Sequence, residues 1–208
     1  MSGARTDVLA RVRAALGESG PPPAIPRAYR GAGASGGGDA VERFRDRVID
    51  YGAALQRLPA AGLDAGIAER CRALGIGRLV VPADAPWRVT DVELVSDDPP
   101  LAAERLDDIG AALTGCALAI AETGTIVLDG TGACGRRALT LVPDIHLCVV
   151  READVVASLP DAIARLEPAA LEGRPLTFVS GPSATSDIEL ERVEGVHGPR
   201  TLELFLTR

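Results

Sequence analysis

The sequence has few aromatic residues, no run of lysine and no long apolar segment, and each absence excludes a type of core or a class of function. Aromatic residues make up only 3% of it, so the core must be built from aliphatic residues and alanine. The arginines are scattered, and Arg136-Arg137 is the only adjacent basic pair. Because phosphate contacts need clustered positive charge and the net charge is -7, we expect no nucleic acid to bind.

Long apolar runs and targeting signals are missing as well. No apolar run reaches the ~18 residues that suggest a membrane-spanning helix. The first 17 residues are charged and lack the continuous apolar segment of a signal peptide. The sequence therefore predicts a cytoplasmic protein without a membrane span.

The chain has only four cysteines, and their spacing matches no CxxC pair and no iron–sulfur run. Three lie in apolar stretches, which is typical of core cysteine: Cys71, Cys116 and Cys148. Cys134 lies in a glycine-rich loop and is predicted to be the most exposed thiol.

Metal and nucleotide motifs are equally scarce. Asp144 with His146, or Asp187 with His197, could supply ligands, but neither pair has a diagnostic metal spacing. No Walker motif occurs, and no GxGxxG follows a predicted strand. We predict no metal and no cofactor.

The chain divides into three predicted segments. Residues 1–17 form an amphipathic helix, residues 18–40 a proline- and glycine-rich linker, and residues 41–208 the main domain. Such a helix must dock on the main domain or on a partner subunit. The partner could be a second copy of this chain, so a homo-oligomer is possible.

Hydrophobic patterning in the main domain predicts helices alternating with strands. The predicted helices cover residues 40–57, 63–74, 97–113 and 153–166. The predicted strands cover residues 78–81, 92–95, 117–121, 125–128, 138–142, 145–150, 175–180 and 201–206. This order predicts an α/β fold with a mixed, largely parallel sheet, flanking helices and a small β-rich insert within 115–150.

Three polar segments are candidates for chemistry. The first, at a strand end, contains Glu122, Thr123, Gly124 and Thr125. Ligands bind beyond strand ends in open α/β sheets, and a glutamate there can act as base, nucleophile or acceptor. The alternative is a tight turn whose polar side chains satisfy the backbone.

The second segment follows the predicted strand at 175–180 and is rich in hydroxyl residues. Its candidate ligand-binding residues are Gly181, Pro182, Ser183, Thr185 and Asp187. Backbone N–H groups and hydroxyls converging after a strand favour an anion site. The alternative is a helix N-cap, which also prefers serine and threonine.

The third segment contains His197 and Gly198. Flanking glycines allow close approach of a ligand, and histidine can transfer protons near neutral pH. The alternative is a loop histidine bonded to a carbonyl. The other histidine, His146, is predicted to be buried and to bond with Asp144.

These three segments resemble the LUD-domain family, of the lactate-utilisation protein C type. The resemblance covers roughly residues 40–208 and is carried by AIAETGTIVL (119–128), RRALTLVPDIHLCVV (136–150) and FVSGPSATSDIELERVEGVHGPRTLELFL (178–206). It implies a fold similar to the sugar-phosphate isomerase and CoA-transferase (NagB/RpiA-like) superfamily. It also implies a part in oxidising L-lactate to pyruvate, alongside two partner subunits that hold iron–sulfur clusters.

Three functions stay open. In the first, the chain is a non-redox component whose pocket holds a small carboxylate on Ser183 and Thr185, with Glu122 or His197 near the 2-hydroxyl. In the second, it is a free-standing isomerase, CoA transferase or ligase, since Glu122-Thr123-Gly124 is similar to the Glu-x-Gly setting of CoA transferases. In the third, it is a sensor or assembly module. The first requires the loops around Glu122, Ser183 and His197 to form one cleft.

Overall fold

The structure, a computed structural model, describes residues 3–17, 24–33, 38–182 and 198–208. It divides into two compact units, Met1–Arg30 and Gly31–Arg208. In the first unit, helix α1 covers Gly3–Leu16 and exposes its apolar side chains, such as Val8 and Val12. The predicted boundaries after residues 17 and 40 stay predictions.

The second unit alternates helices and strands, as expected for an α/β protein. Its helices are α2 (Ala40–Asp50), α3 (Leu63–Leu74), α4 (Ala103–Ile109) and α5 (Leu159–Leu171). Its strands are β1 (Ala54–Leu58), β2 (Arg78–Val81), β3 (Glu93–Ser96), β4 (Ala111–Gly115), β5 (Leu118–Ile120), β6 (Thr125–Leu128), β7 (Ile145–Arg151), β8 (Val155–Val156), β9 (Thr177–Val179) and β10 (Thr201–Thr207). None of the helices described is long and apolar enough to cross a bilayer.

Six strands form the main sheet in the order β1-β10-β7-β4-β2-β3, and every pairing is parallel. The central strands are apolar on both faces, as a parallel sheet covered on both sides requires. The carboxyl ends of β4, β7 and β10 therefore meet at one edge of the sheet.

The remaining four strands form a second sheet in the order β8-β5-β6-β9, with β6 antiparallel to both its neighbours. The sequence prediction of a β-rich insert is thereby confirmed. Strands β8 and β9 both lie outside the 115–150 stretch, so the insert is larger than predicted.

Two apolar layers cover the main sheet. On one face, α3 packs through Ile67 and Cys71. On the other face, α2 and the second sheet pack together on Cys148 and Leu204. Helix α5 covers the far side of the second sheet through Leu166. The second sheet thus lies between α5 and the main sheet, which positions its turns beside α2.

Two helix predictions were wrong in extent. The helix predicted over 40–57 ends at Asp50, because Gly52 takes a left-handed φ of +80° and the chain then enters β1. The helix predicted over 97–113 is confined to α4, and residues 111–115 form a fully buried strand between β7 and β2. A short apolar run reads equally as a helix or as a buried strand.

Two further elements differ from prediction. The strand predicted over 138–142 does not form: residues 137–140 make a 3₁₀ turn, because Leu139 is buried against α4 and the main sheet. The helix predicted from 153 begins at Leu159, where Ser158 accepts a hydrogen bond from the Asp161 N–H. The residues before it pair with β5 as β8.

Candidate functional site

The predicted Glu122–Thr125 segment is the turn that joins β5 to β6. Thr123 Oγ lies 2.7 Å from Thr125 Oγ, which in turn lies 2.6 Å from Ser180 Oγ. The antiparallel pairing of β6 with β9 causes this meeting, because Ile126 lies opposite Val179. The structure therefore brings the first two predicted segments together through a chain of three hydroxyls. Glu122 is half-buried beside them.

Two glycines press this hydroxyl cluster (Thr123, Thr125 and Ser180) against the end of α2. A Cβ on Gly124 would come within 2.8 Å of the Arg47 carbonyl carbon, and one on Gly181 within 2.7 Å of the Tyr51 carbonyl oxygen. Both glycines also have φ near +60° to +75°, where side chains are strained. Both are thus required by close approach of backbone, which the sequence could only suggest.

A cavity of about 400 Å³ runs along α2. Its described lining comes from α2 alone: Arg43, Asp46, Arg47, Ile49 and Asp50. Arg47 pairs with Asp50 at 3.2 Å. Arg43 and Asp46 form no ion pair within the described chain, so the two arginines and two aspartates of this wall balance in charge.

The other predicted site residues are placed less completely. Ser183, Thr185, Asp187 and His197 lie outside the described residues. Pro182 is half-buried next to Gly181. Gly198 lies at the amino end of the main sheet, where a Cβ would be 4.0 Å from the Thr140 carbonyl oxygen. Whether the three loops share one cleft stays a prediction.

Arg137 lies beside Thr140 and binds it through its guanidinium. Arg137 Nη1 donates to the Thr140 carbonyl oxygen at 2.8 Å and to its hydroxyl at 3.0 Å. The guanidinium is half-buried, and among the residues the structure describes no carboxylate pairs with it. Burial lowers the pKa of Arg137 below its usual value. A partly desolvated guanidinium with free donors is suited to bind an anion.

The adjacent Arg136 is held quite differently. Its Nε and Nη2 bind the Asp97 carboxylate at 2.6 and 2.8 Å, and Nη2 also reaches the Leu101 carbonyl oxygen at 2.6 Å. Burial alone would raise the pKa of Asp97, but the hydrogen bonds from Arg136 and the Leu101 N–H lower it. Arg136 is therefore occupied by the fold, whereas the described residues contact only Nη1 of the Arg137 guanidinium.

His146 lies on β7 close to Arg137 and is fully enclosed. Its Nε2 lies 2.7 Å from Thr114 Oγ1. Burial, assisted by the charge of Arg137, lowers the pKa of His146 to about 3, so the imidazole is neutral. The prediction of a buried histidine is confirmed, but its predicted partner was wrong: Asp144 pairs with Arg200 at 3.1 Å at the surface.

The cysteine prediction was wrong at Cys134. Its thiol is buried, and burial raises its pKa to about 12, because the glycine-rich loop packs onto the main sheet. Cys116 is the half-buried residue of the four cysteines, and its neighbour Cys148 and burial raise the pKa of its thiol well above the usual value. Within the described ranges, no group of three or more His, Cys, Asp or Glu side chains could hold a metal ion.

Sequence reasoning missed Arg137, Thr140 and Ser180 as site residues. The adjacent Arg136-Arg137 pair is visible in the sequence, but the sequence analysis considers it only as a possible nucleic-acid-binding patch. Which of two neighbouring arginines has an acid partner depends on Asp97, 39 residues earlier, and no local pattern reveals that.

Comparison with known proteins places this geometry in a family. The LUD domain family profile matches residues 89–207. Lactate utilization protein C of Deinococcus radiodurans is 50% identical over 169 residues, covering 80% of this chain and 78% of that protein. Lactate utilization protein C of Shouchella clausii is 34% identical over 95 residues, covering 44% and 40%.

A solved structure agrees with the sequence comparison. The crystal structure of a DUF162 family protein from Deinococcus radiodurans matches with a TM-score of 0.71 and 43% identity, covering 81% of this chain and 96% of that one. The family match spans more than half of the sequence and includes all the candidate site residues. The chain therefore belongs to the LUD-domain family.

Proposed function

We propose that this protein is a non-redox component of L-lactate utilisation that binds a small carboxylate. Its relatives named lactate utilization protein C support the pathway. The observation that carries the ligand class is the half-buried Arg137, which has no acid partner among the described residues. An unpaired, partly desolvated cation is costly to the fold, and such costs are concentrated at functional sites.

The proposed pocket assigns a role to each polar group. Arg137, with the hydroxyls of Ser183 and Thr185, binds the carboxylate, and Glu122 or His197 lies near the 2-hydroxyl. Thr123, Gly124, Thr125, Gly181, Pro182 and Gly198 complete the walls. The hydroxyl cluster supports this assignment, because its three linked O–H groups can reorient towards a ligand.

The electron transfer of lactate oxidation is assigned to partner subunits. The four cysteines of this chain have no ferredoxin-type spacing, and three of them are buried in the fold. We propose that iron–sulfur partners accept the electrons and that this chain presents or senses the acid.

Calorimetric titration of the full chain with L-lactate and pyruvate tests the proposal. We expect Arg137→Gln to weaken binding about ten- to a hundredfold, the loss of a charge-assisted hydrogen bond. Arg105→Gln is the matched control and should leave binding unchanged, because among the described residues Arg105 forms only an exposed pair with Asp108.

Two outcomes would overturn the proposal. If neither acid binds, alone or with iron–sulfur partners present, the carboxylate pocket does not exist. If Arg137→Gln binds as tightly as the natural sequence, the anion is not held at the amino end of the main sheet.

A further inference from the structure

A second cavity, of about 510 Å³, opens beyond the carboxyl ends of β4, β7 and β10. The last residues of these strands, Gly115, Arg151 and Thr207, all line it, and we call it the carboxyl-end cavity. Its volume lies within the ~300–1,000 Å³ range of ligand pockets. None of the described residues proposed for the small carboxylate lines it, so what this cavity binds does not depend on the proposed function.

The charged residues of the described lining are one arginine and two aspartates, Arg151, Asp154 and Asp64, so their net charge is -1. Two of them form an ion pair, since Arg151 Nε donates to the buried Asp154 at 2.6 Å. Arg165 donates to the other oxygen of Asp154 at 2.8 Å from outside the cavity. The Arg151 side chain is 72% exposed, so water screens its positive charge. The carboxylate of Asp154 is therefore fully paired, and the charge of Arg151 is largely solvated.

Asp64 is the charged residue of this lining that the fold leaves unpaired. It lies in the first turn of α3, where the helix dipole favours a negative charge. Its side chain is half-buried, and no hydrogen bond or ion pair to it occurs in the ranges that the structure describes. A partly desolvated carboxylate without a partner is costly, and a bound cation that donates hydrogen bonds to it removes that cost.

The rest of the described lining is uncharged and mostly apolar. Leu63, Pro86 and Val149 supply aliphatic surface. Trp87, which is 5% exposed, lines the cavity beside them, and the face of an indole ring attracts cations. An unpaired carboxylate, an aromatic ring and apolar surface together suit a cation with an apolar body. An anion would instead meet Asp64 without a counterion.

We propose that the carboxyl-end cavity binds a small organic ammonium ion with an apolar carbon chain. The ammonium group donates hydrogen bonds to the Asp64 carboxylate and lies against Trp87. The carbon chain covers Leu63 and Val149. The negative charge of the ligand-free lining and the net charge of -7 of the whole chain both favour the approach of a cation.

Fluorescence titration of the full chain tests the proposal, because Trp87 is the one tryptophan of the sequence. The probes are hexylamine, 1-hexanol and hexanoate, which share a carbon chain and differ in the charge of the head group. The titrations are made near pH 7 and at equal ionic strength. We expect hexylamine to bind with a Kd below about 1 mM and at least tenfold more tightly than 1-hexanol, and hexanoate to bind most weakly.

Asp64→Asn and Asp107→Asn form a matched pair, because both change the net charge of the chain by the same amount. Asp107 is exposed on α4, does not line the cavity and forms no ion pair within the described ranges. We expect Asp64→Asn to weaken the binding of hexylamine about tenfold or more. Binding of 1-hexanol to this variant should stay within about twofold, since the cavity itself is intact. Asp107→Asn should leave all three probes unchanged.

Arg151→Gln gives a test of opposite sign. It removes a positive charge from the lining, while Asp154 keeps its hydrogen bond from Arg165. We expect hexylamine to bind about two- to fivefold more tightly to this variant, because one repulsive charge is gone, and 1-hexanol to bind as before.

Three results overturn the inference. In the first, hexylamine does not bind, or 1-hexanol or hexanoate binds as tightly as hexylamine, so the cavity does not recognise an ammonium group. In the second, Asp64→Asn and Asp107→Asn have equal effects, so Asp64 is not the acceptor. In the third, Arg151→Gln weakens the binding of hexylamine, so the positive charge of Arg151 does not oppose the ligand.

Discussion

The neighbouring residues Arg136 and Arg137 have the same side chain but lie in regions that bind it differently. Towards α4, Arg136 donates two hydrogen bonds to the carboxylate of Asp97, whose side chain is 6% exposed. Towards the amino end of β7, the only described groups that Arg137 binds are the Thr140 carbonyl and hydroxyl, beside a neutral histidine.

The difference shows how the fold separates structural charge from available charge. A paired, buried carboxylate contributes to stability only while its partner is present. A cation without an acid partner contributes little or nothing and keeps its donors for a ligand. Four predictions test this contrast between a closed and an open region, in decreasing order of expected effect.

Arg136→Ala should destabilise the fold by about 3 kcal/mol, because it leaves Asp97 buried without its cation. The value lies at the lower end of the range for buried pairs, since Arg136 is 38% exposed. Urea denaturation measures the loss. Adding Asp97→Asn to Arg136→Ala removes the unpaired buried carboxylate and should restore about 1 kcal/mol of the free energy of unfolding. A double variant no more stable than the single one would contradict the pairing.

The same contrast applies to two glycines with positive φ. Gly124→Ala should cost about 2–3 kcal/mol, because the new Cβ meets the backbone of α2 as well as an unfavourable φ of +60°. Gly132→Ala should cost about 1 kcal/mol, because φ is +49° but nothing lies within 4 Å. Equal losses of unfolding free energy for the two variants, in thermal or urea unfolding, would show that the turn at Gly124 is not in close contact with α2.

The buried histidine of the open region predicts a dependence of stability on pH. The pKa of His146 is lowered from 6.5 to about 3 in the folded state, so the unfolded state binds its proton first as the pH falls. Stability from this group is present above about pH 6.5 and is lost progressively down to about pH 3.

Between pH 7 and pH 5, the natural sequence should lose about 2 kcal/mol more than His146→Gln. Urea denaturation at both pH values measures the difference, and effects of the carboxylates cancel because both chains share them. Parallel pH profiles would mean that His146 is not buried in the neutral form.

Arg137→Gln should change the free energy of unfolding least, by less than about 1 kcal/mol, and towards greater stability. Removing a half-buried charge without an acid partner relieves its desolvation cost, while glutamine keeps a donor for the Thr140 carbonyl. The denaturation midpoint is the readout. A loss of 2 kcal/mol or more would show that Arg137 serves the fold, as Arg136 does.

The wrong predictions share a physical cause. Residues 54–57 were predicted as the end of a helix, because Leu55 continues the apolar face of α2, but the segment pairs with β10 at the far end of the chain. Residues 111–115 are a short apolar run that becomes a strand because β2 and β7 lie on either side of it. In each case a partner distant in sequence overrides local preference.

The candidate site was predicted in part for the same reason. Glycine and hydroxyl residues after predicted strands marked both segments as candidates, and the structure joins the two segments at Thr125 and Ser180. Arg137 could not be ranked above Arg136 from the sequence, because the choice depends on where Asp97 lies. The free-standing enzyme and the assembly module gain no supporting observation from the structure.

Sequence alone determined the family, the alternation of helices and strands, and the types of side chain available for an anion. These depend on local patterning and on motifs that are contiguous along the chain. Tertiary structure alone decided which arginine keeps free donors, which thiols are buried and where a second cavity opens. Those properties depend on pairing and desolvation between segments tens to more than a hundred residues apart, and such contacts leave no local pattern.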